Sequence, residues 1–133
     1  MKLTTKSEYS LLALVYIARH QQDGYIRLED ICKKYTIPKK YLEQMLTVLK
    51  GSRYIRTKRG LSGGYQLCKP AQKITLAEII RLMDGALAPT ESVSEYFFTH
   101  TPIEQEKKIV QVMKNIRDYI SKKLEKVTLA DLI

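Results

Sequence analysis

Residues 53–67 read Arg-Tyr-Ile-Arg-Thr-Lys-Arg-Gly-Leu-Ser-Gly-Gly-Tyr-Gln-Leu. Two strand-forming runs, Ile55–Arg59 and Tyr65–Cys68, flank a basic turn, Gly60-Leu61-Ser62-Gly63-Gly64. Glycines there permit positive φ and close backbone approach to a partner, so the stretch predicts a β-hairpin. What precedes the hairpin gives it meaning. Leu28–Tyr35 sets Leu28, Ile31 and Cys32 at helical spacing, and Thr36-Ile37-Pro38 makes a turn, with proline suited to the first position of the next helix. From Pro38 to Gly51 the apolar face is Leu42, Met45, Leu46 and Leu49. A helix–turn–helix followed by a basic hairpin predicts a mainly α fold, a winged helix with a two-stranded wing. That architecture most often grips duplex DNA.

Working outward, Thr4-Thr5 supplies an N-cap for a first helix expected to reach Gln22 before Asp23-Gly24. Its apolar residues, Leu11 to Ala18, cover more than one face, which places it centrally in the core. Beyond the wing, Thr75-Leu76-Ala77-Glu78 has capping-box spacing and opens a helix closing at Asp84-Gly85. Residues 86–102 read as an irregular connection holding Pro89, Pro102 and Tyr96-Phe97-Phe98. A long amphipathic helix from Ile103 to Lys126, about 35 Å long, follows. Its apolar positions are Ile109, Val112, Met113, Ile116, Tyr119, Ile120 and Leu124. Alone it would expose that stripe, so a homodimer through this helix is expected. The organisation predicted is a DNA-binding domain over 1–85, a connecting loop over 86–102, and a dimerisation helix with a C-terminal turn over 103–133.

At 133 residues, with 44% hydrophobic and 28% charged residues, the chain can bury one core without disulfides or metal. Residues 1–70 carry 14 Lys/Arg against 5 Asp/Glu, whereas 71–133 carry nine of each. The whole net charge of +9 therefore sits in the half with the helix–turn–helix and wing. Such asymmetry points to a polyanion-facing half and a half with another task. The apolar run Leu11–Ala18 is too short to span a bilayer, so no membrane role and a cytoplasmic location are expected.

In the third helix, Lys39, Lys40, Tyr41, Glu43 and Gln44 occupy the part that usually meets base edges. Gln44 suits adenine, Glu43 a cytosine amine, and the lysines guanine or phosphate. Lys50, Arg53, Arg56 and Lys58 read as phosphate contacts, and Arg59 at the turn as a minor-groove finger. Ser62 and the Gly63 and Gly64 amides are expected to bond phosphate, with Thr5, Lys6 and Ser7 adding contacts at the first helix start. A solvated helix face or a hairpin with a solubilising rim would explain either element alone; both together favour DNA. Cys32 and Cys68 lack metal spacing and read as small buried hydrophobes, with a redox thiol as the alternative. His20 and His100 read as surface residues, and Tyr96-Phe97-Phe98 as core or dimer packing rather than an effector pocket. The sequence offers no catalytic triad, Walker loop or zinc pattern, so an enzyme is not expected.

These residues resemble the Rrf-two family of bacterial winged-helix transcriptional regulators, which includes iron–sulfur, nitric-oxide-sensing and cysteine-metabolism regulators. The resemblance is carried by Met1–Tyr9, Ile37-Pro38-Lys39-Lys40-Tyr41-Leu42-Glu43-Gln44, Arg59–Tyr65, Ile74–Ile80 and Val127–Leu132, and covers nearly the whole chain. It implies a homodimer on a pseudo-palindromic operator, with Tyr41, Glu43, Gln44 and Arg59 as the main DNA contacts. Pro38 stands where members commonly have serine. Cluster-binding members carry three cysteines after the fourth helix, and residues 69–133 here contain none. The resemblance thus implies a member with no cofactor and no metal, akin to the cysteine-metabolism type, with a regulatory protein or small-molecule effector as a further partner. A protein-interaction module with DNA binding secondary is the alternative reading.

Overall fold

The computed structural model describes residues 2–133; Met1, which opens the quoted N-terminal motif, lies outside them. The first helix, α1 (Thr5–Arg19), starts where Thr4 turns extended and its hydroxyl accepts from the Ser7 amide at 3.4 Å. Thr4 also binds the Asp84 carboxylate, through its amide at 3.1 Å and through its hydroxyl, fastening the start of α1 to the far end of the fourth helix. The helix stops at Arg19 rather than Gln22, because Gln21–Asp23 wind into a 3-10 turn before Gly24 at φ 89°. Leu14 and Ile17 are fully buried, so α1 is indeed the central post.

Helices α2 (Leu28–Tyr35) and α3 (Lys39–Gly51) form the helix–turn–helix, joined through Thr36 in the left-handed region at φ 55°. Pro38 precedes α3 as its cap position rather than forming its first turn, and makes no side-chain cap. The wing is an antiparallel pair, β1 (Ile55–Lys58) and β2 (Gly64–Leu67), in register from Ile55 opposite Leu67 to Lys58 opposite Gly64. Arg59 and Cys68 fall outside the strands. Helix α4 (Leu76–Asp84) begins on the expected capping box: the Thr75 amide donates to Glu78 Oε2 at 2.8 Å and Thr75 Oγ1 accepts from the Glu78 amide at 3.2 Å. The long helix α5 (Lys107–Lys126) opens four residues later than expected, since Pro102–Gln105 form a 3-10 turn with their own capping box, Thr101 and Glu104.

One main core unites Leu14, Ile17, Ile31, Leu42, Leu46, Leu49, Ile55, Ile74 and Ile79. Leu129, from the last turn (Leu129–Leu132), is fully buried among them. The Leu129 amide donates to the Ile74 carbonyl and the Leu76 amide to the Val127 carbonyl, each at 2.9 Å. Residues 103–133 therefore share their anchor with the first 85. A smaller cluster, Ala77, Ile80 and Leu87, receives Ile120 and Leu124 of α5. Those two side chains, expected at a dimer interface, are instead engaged within the protomer, because α5 carries two apolar rows and one of them covers α4. Arg81 ties the pair together, bonding Glu125 at 2.8 Å and lying 4.9 Å over the Tyr96 ring.

Several smaller expectations change. Tyr96, Phe97 and Phe98 are exposed in the protomer, which leaves dimer packing rather than the core for them, Cys68 is exposed, and Ser7 is fully buried and unable to reach a phosphate. His20 is half-buried, stacked on Tyr16 at 4.2 Å with Nδ1 at 2.8 Å from the Tyr16 carbonyl.

Candidate nucleic-acid interface

The outer side of α3 follows directly from its periodicity. Burying Leu42, Met45, Leu46 and Leu49 leaves Lys39, Lys40, Tyr41, Glu43, Gln44, Thr47 and Lys50 exposed along one face. The helix ends in an unusual way: Arg53 adopts φ 64°, its amide donates to Lys50 and the Tyr54 amide to Leu49, at 3.0 and 2.9 Å. A left-handed residue at this point turns the chain sharply, so the wing rises beside the helix it follows.

Tyr54 fixes that angle. Its phenol donates to Glu78 Oε1 at 2.7 Å, the Cys68 amide donates to its carbonyl at 2.9 Å, and Lys69 Nζ lies 4.7 Å over its ring. Burial, then the bond and the charge of Glu78, push the Tyr54 phenol pKa up, so it stays a donor throughout the physiological range. Glu78 thus caps α4 and braces the wing base at once.

The wing's other side is held by the chain before α2. Ile26 and Tyr65 exchange both backbone hydrogen bonds at 2.8 Å, an extra rung that extends the hairpin toward the helix–turn–helix. Gly64, at φ 147°, lies so close to Ile26 that any Cβ would strike the Ile26 carbonyl. Gly63 is buried, and its amide is already spent on the Gly60 carbonyl at 3.0 Å. The expected phosphate bond from that amide is therefore unavailable; the glycine's part is to let the turn close over the Lys58 carbonyl.

Between wing and α3 runs a groove of about 390 Å³ that includes Thr47, Lys50, Lys58, Arg59 and the Gly63-Gly64 pair. Arg27, Glu29, Thr57 and Tyr65 line it too, and none of them was expected. The extended Tyr25-Ile26-Arg27 segment was the available signal, because a strand-like tripeptide beside a hairpin can pair with it. Glu29 lies 3.6 Å from Lys39 Nζ and 3.8 Å from Arg27, so two cations of this face are partly neutralised. Backbone hydrogen bonding at the start of α2, with help from Lys39 and Arg27, holds the Glu29 carboxyl below its usual range. Burial and the nearby Glu43 and Glu29 carboxylates push the Tyr65 phenol up. Arg56 faces Gln66 across the wing, bonding its Oε1 at 2.9 and 3.2 Å, and Lys58 lies 5.7 Å over Tyr25.

On the opposite flank of α3, Thr5 and Lys6 meet Pro38, Tyr41 and Gln44 around a second cleft of about 400 Å³. Arg53 is exposed at the end of α3, and Ser62 is exposed at the tip of the wing beside Leu61, which is 99% exposed. The structure thus gathers Thr5, Lys6, Pro38 to Tyr41, Glu43, Gln44, Lys50, Lys58 and Arg59 along α3 and its two flanking clefts. Exposed Tyr41 and Gln44 line the apolar cleft on one side of α3, and Thr47 and Lys50 line the basic groove on the other.

Burial pushes the Cys32 thiol up, disfavouring a reactive thiolate. Among the described residues, no three His, Cys, Asp or Glu side chains converge as a metal site, and no helix is long and apolar enough to cross a membrane.

Comparison with known proteins gives a consistent result. The family described as "Rrf2: Iron-dependent Transcriptional regulator" matches residues 3–133. The HTH-type transcriptional regulator CymR of Bacillus subtilis is 30% identical over 132 residues, covering 99% of this chain and 89% of its own. The HTH-type transcriptional regulator IscR of Yersinia enterocolitica is 30% identical over 140 residues, 100% of this chain and 79% of that one. The solved structure of B. subtilis CymR, described as a global cysteine regulator, superposes with a TM-score of 0.80 at 29% identity, covering 99% of this chain and 95% of that one.

Proposed function

This chain belongs to the Rrf2 family of transcriptional regulators, and from that premise we propose that it is a homodimeric, sequence-specific repressor working without an iron–sulfur cluster. The single observation that carries the DNA-reading part is the juxtaposition of exposed Gln44, Tyr41 and Glu43 with the basic wing groove of Lys50, Lys58 and Arg59. Gln44 and Glu43 read bases from α3; Lys6, Lys40, Lys50 and Lys58 neutralise phosphate; Arg59 enters a minor groove. Acting on DNA, the protein works in the cytoplasm.

Selection of bound sequences from random duplexes tests this, with Gln44→Ala and Arg59→Ala alongside the natural protein. Gln44→Ala should relax preference at one position per half-site, by about 1–3 kcal/mol against the wrong base. Arg59→Ala should weaken binding while leaving the α3-read positions as they are. Recovery of no common sequence by the natural protein rules the reading out.

Support for the dimer comes from the second apolar row of α5. Ile109, Val112, Ile116 and Tyr119 recur at three- and four-residue spacing and stand 42, 53, 40 and 74% exposed. Charge indicates their orientation. Residues 82–106 hold Asp84, Glu91, Glu95, Glu104 and Glu106 and no Lys or Arg, whereas α5 holds seven Lys/Arg against Asp118 and Glu125. A parallel pair would set Lys123 against its own copy. An antiparallel pair centred on the row instead sets Lys122 opposite the partner copy's Glu106, so antiparallel packing is favoured. Because the interface is isologous, Ile116→Asp counts twice, and it should weaken dimerisation by about 100-fold or more. Sedimentation velocity reads the outcome: a variant that remains dimeric at low micromolar concentration excludes this row as the interface.

An iron–sulfur cluster does not fit the residues present. Clusters need thiolates, yet Cys32 lies in α2 and Cys68 directly follows β2, while the connector after α4 has none. The signal is accordingly something other than a cluster.

A further inference from the structure

We propose that the apolar cleft between the starts of α1 and α3 reads thymine C5-methyl groups in the operator, an inference that rests on the DNA-binding reading above. Tyr9, Pro38, Tyr41 and Met45 supply its apolar walls, and Thr5, Lys6 and Gln44 complete it. Its place is what makes it informative. It adjoins the base-reading residues of α3, in the half of the chain that holds the entire +9 net charge, yet carbon lines most of it.

Three observations bear on what fills it. Tyr41 is 58% exposed, and Val48, two turns further along α3, is 39% exposed, so the apolar side of the helix continues beyond the cleft. Pro38 offers no hydroxyl, so at the start of α3 the cleft wall is an apolar ring rather than a polar capping side chain. Gln44 lies between the cleft and the outer face of α3. In the major groove the apolar group that base edges display is the thymine methyl, and glutamine pairs with adenine N6 and N7. Gln44 on an adenine therefore brings a thymine of the same or the neighbouring pair toward Tyr41 and Pro38. Lys6 stands at the same cleft, where the flanking phosphate would pass.

The occupant is thus an A·T-rich half-site edge. It is recognised by shape and methyl burial on one side of Gln44 and by hydrogen bonds on the other. Pro38 becomes a specificity residue, and the DNA contact of Tyr41 is assigned to a thymine methyl.

Replacing each operator thymine in turn by deoxyuridine removes one methyl and keeps every hydrogen bond. Measured on the full-length protein, one or two positions per half-site should lose about fourfold in affinity, the worth of one buried methyl. Tyr41→Ala removes an exposed wall without touching the core, and it should bind the thymine and uridine operators equally. The inference is overturned if no position shifts affinity by about twofold while the native operator is still bound, or if the uridine penalty persists unchanged in Tyr41→Ala. Failure to bind the native operator at all would instead refute the DNA-binding reading, and this inference with it.

Discussion

Raising salt from 50 to 200 mM should weaken operator binding by about 10³–10⁵-fold, the loss expected when six to ten phosphates are neutralised. The supply of cations supports that range. Lys6, Lys40, Lys50, Lys58 and Arg59 of each protomer lie on the proposed face, and among the described residues none has a carboxylate within 4.0 Å. The four lysines of each of two copies therefore offer about eight phosphate contacts, within that range, while each Arg59 adds its charge in the minor groove. Glu29 sharpens the expectation, because it occupies Arg27 within the wing groove and Lys39 at the start of α3. Glu29→Gln should release both, tightening binding at low salt and steepening the dependence on log salt by up to about two per protomer. Fluorescence anisotropy across a salt series measures each slope. A flat response would show that these residues do not face phosphate, whatever sequence the protein prefers.

Gly64→Ala should cost roughly 2–4 kcal/mol of stability, from a strained positive φ and the two Ile26–Tyr65 hydrogen bonds it displaces. The cause is local: the new methyl meets the Ile26 carbonyl, which is backbone and has no side-chain freedom with which to yield. The rung to Ile26 holds β2 against the entry to α2, so its loss frees the wing from the helix–turn–helix. Losing two wing contacts at about 1.4 kcal/mol each lowers operator affinity about 100-fold. Thermal unfolding should shift down by on the order of 10 °C while far-UV dichroism keeps its helical form. Gly51→Ala is the control, since nothing lies within 4 Å of that position and it sits within α3. Alanine there should stabilise by about 0.5–1 kcal/mol. Wild-type affinity and stability in Gly64→Ala would mean the wing is not docked through Ile26.

Much of this molecule was legible in order along the chain. The helix–turn–helix, the hairpin, the Thr75–Glu78 capping box and the outward face of α3 all rest on interactions within a few residues. Periodicity and capping describe such interactions well. The start of α5 differs from the sequence expectation because Thr101-Pro102 opens a capped 3-10 turn that mimics a helix start. By sequence Leu129 belongs to an appended turn, yet it plugs the main core from 55 residues beyond Ile74, a contact that no local pattern announces.

The sequence by itself determined the winged-helix fold, the confinement of positive charge to one half, and the lack of any cysteine beyond Cys68. Those are matters of residue type and spacing. Only tertiary structure divided α5 into a row covering α4 and a row left open, and only it packed Ile120 and Leu124 against α4. It alone paired Glu29 with Lys39, spent the Gly63 amide within its own turn, and joined Tyr9 to Tyr41 across an apolar cleft. Each of these depends on which distant surfaces meet when the core closes, and burial on one side of an element decides what its other side has left to offer.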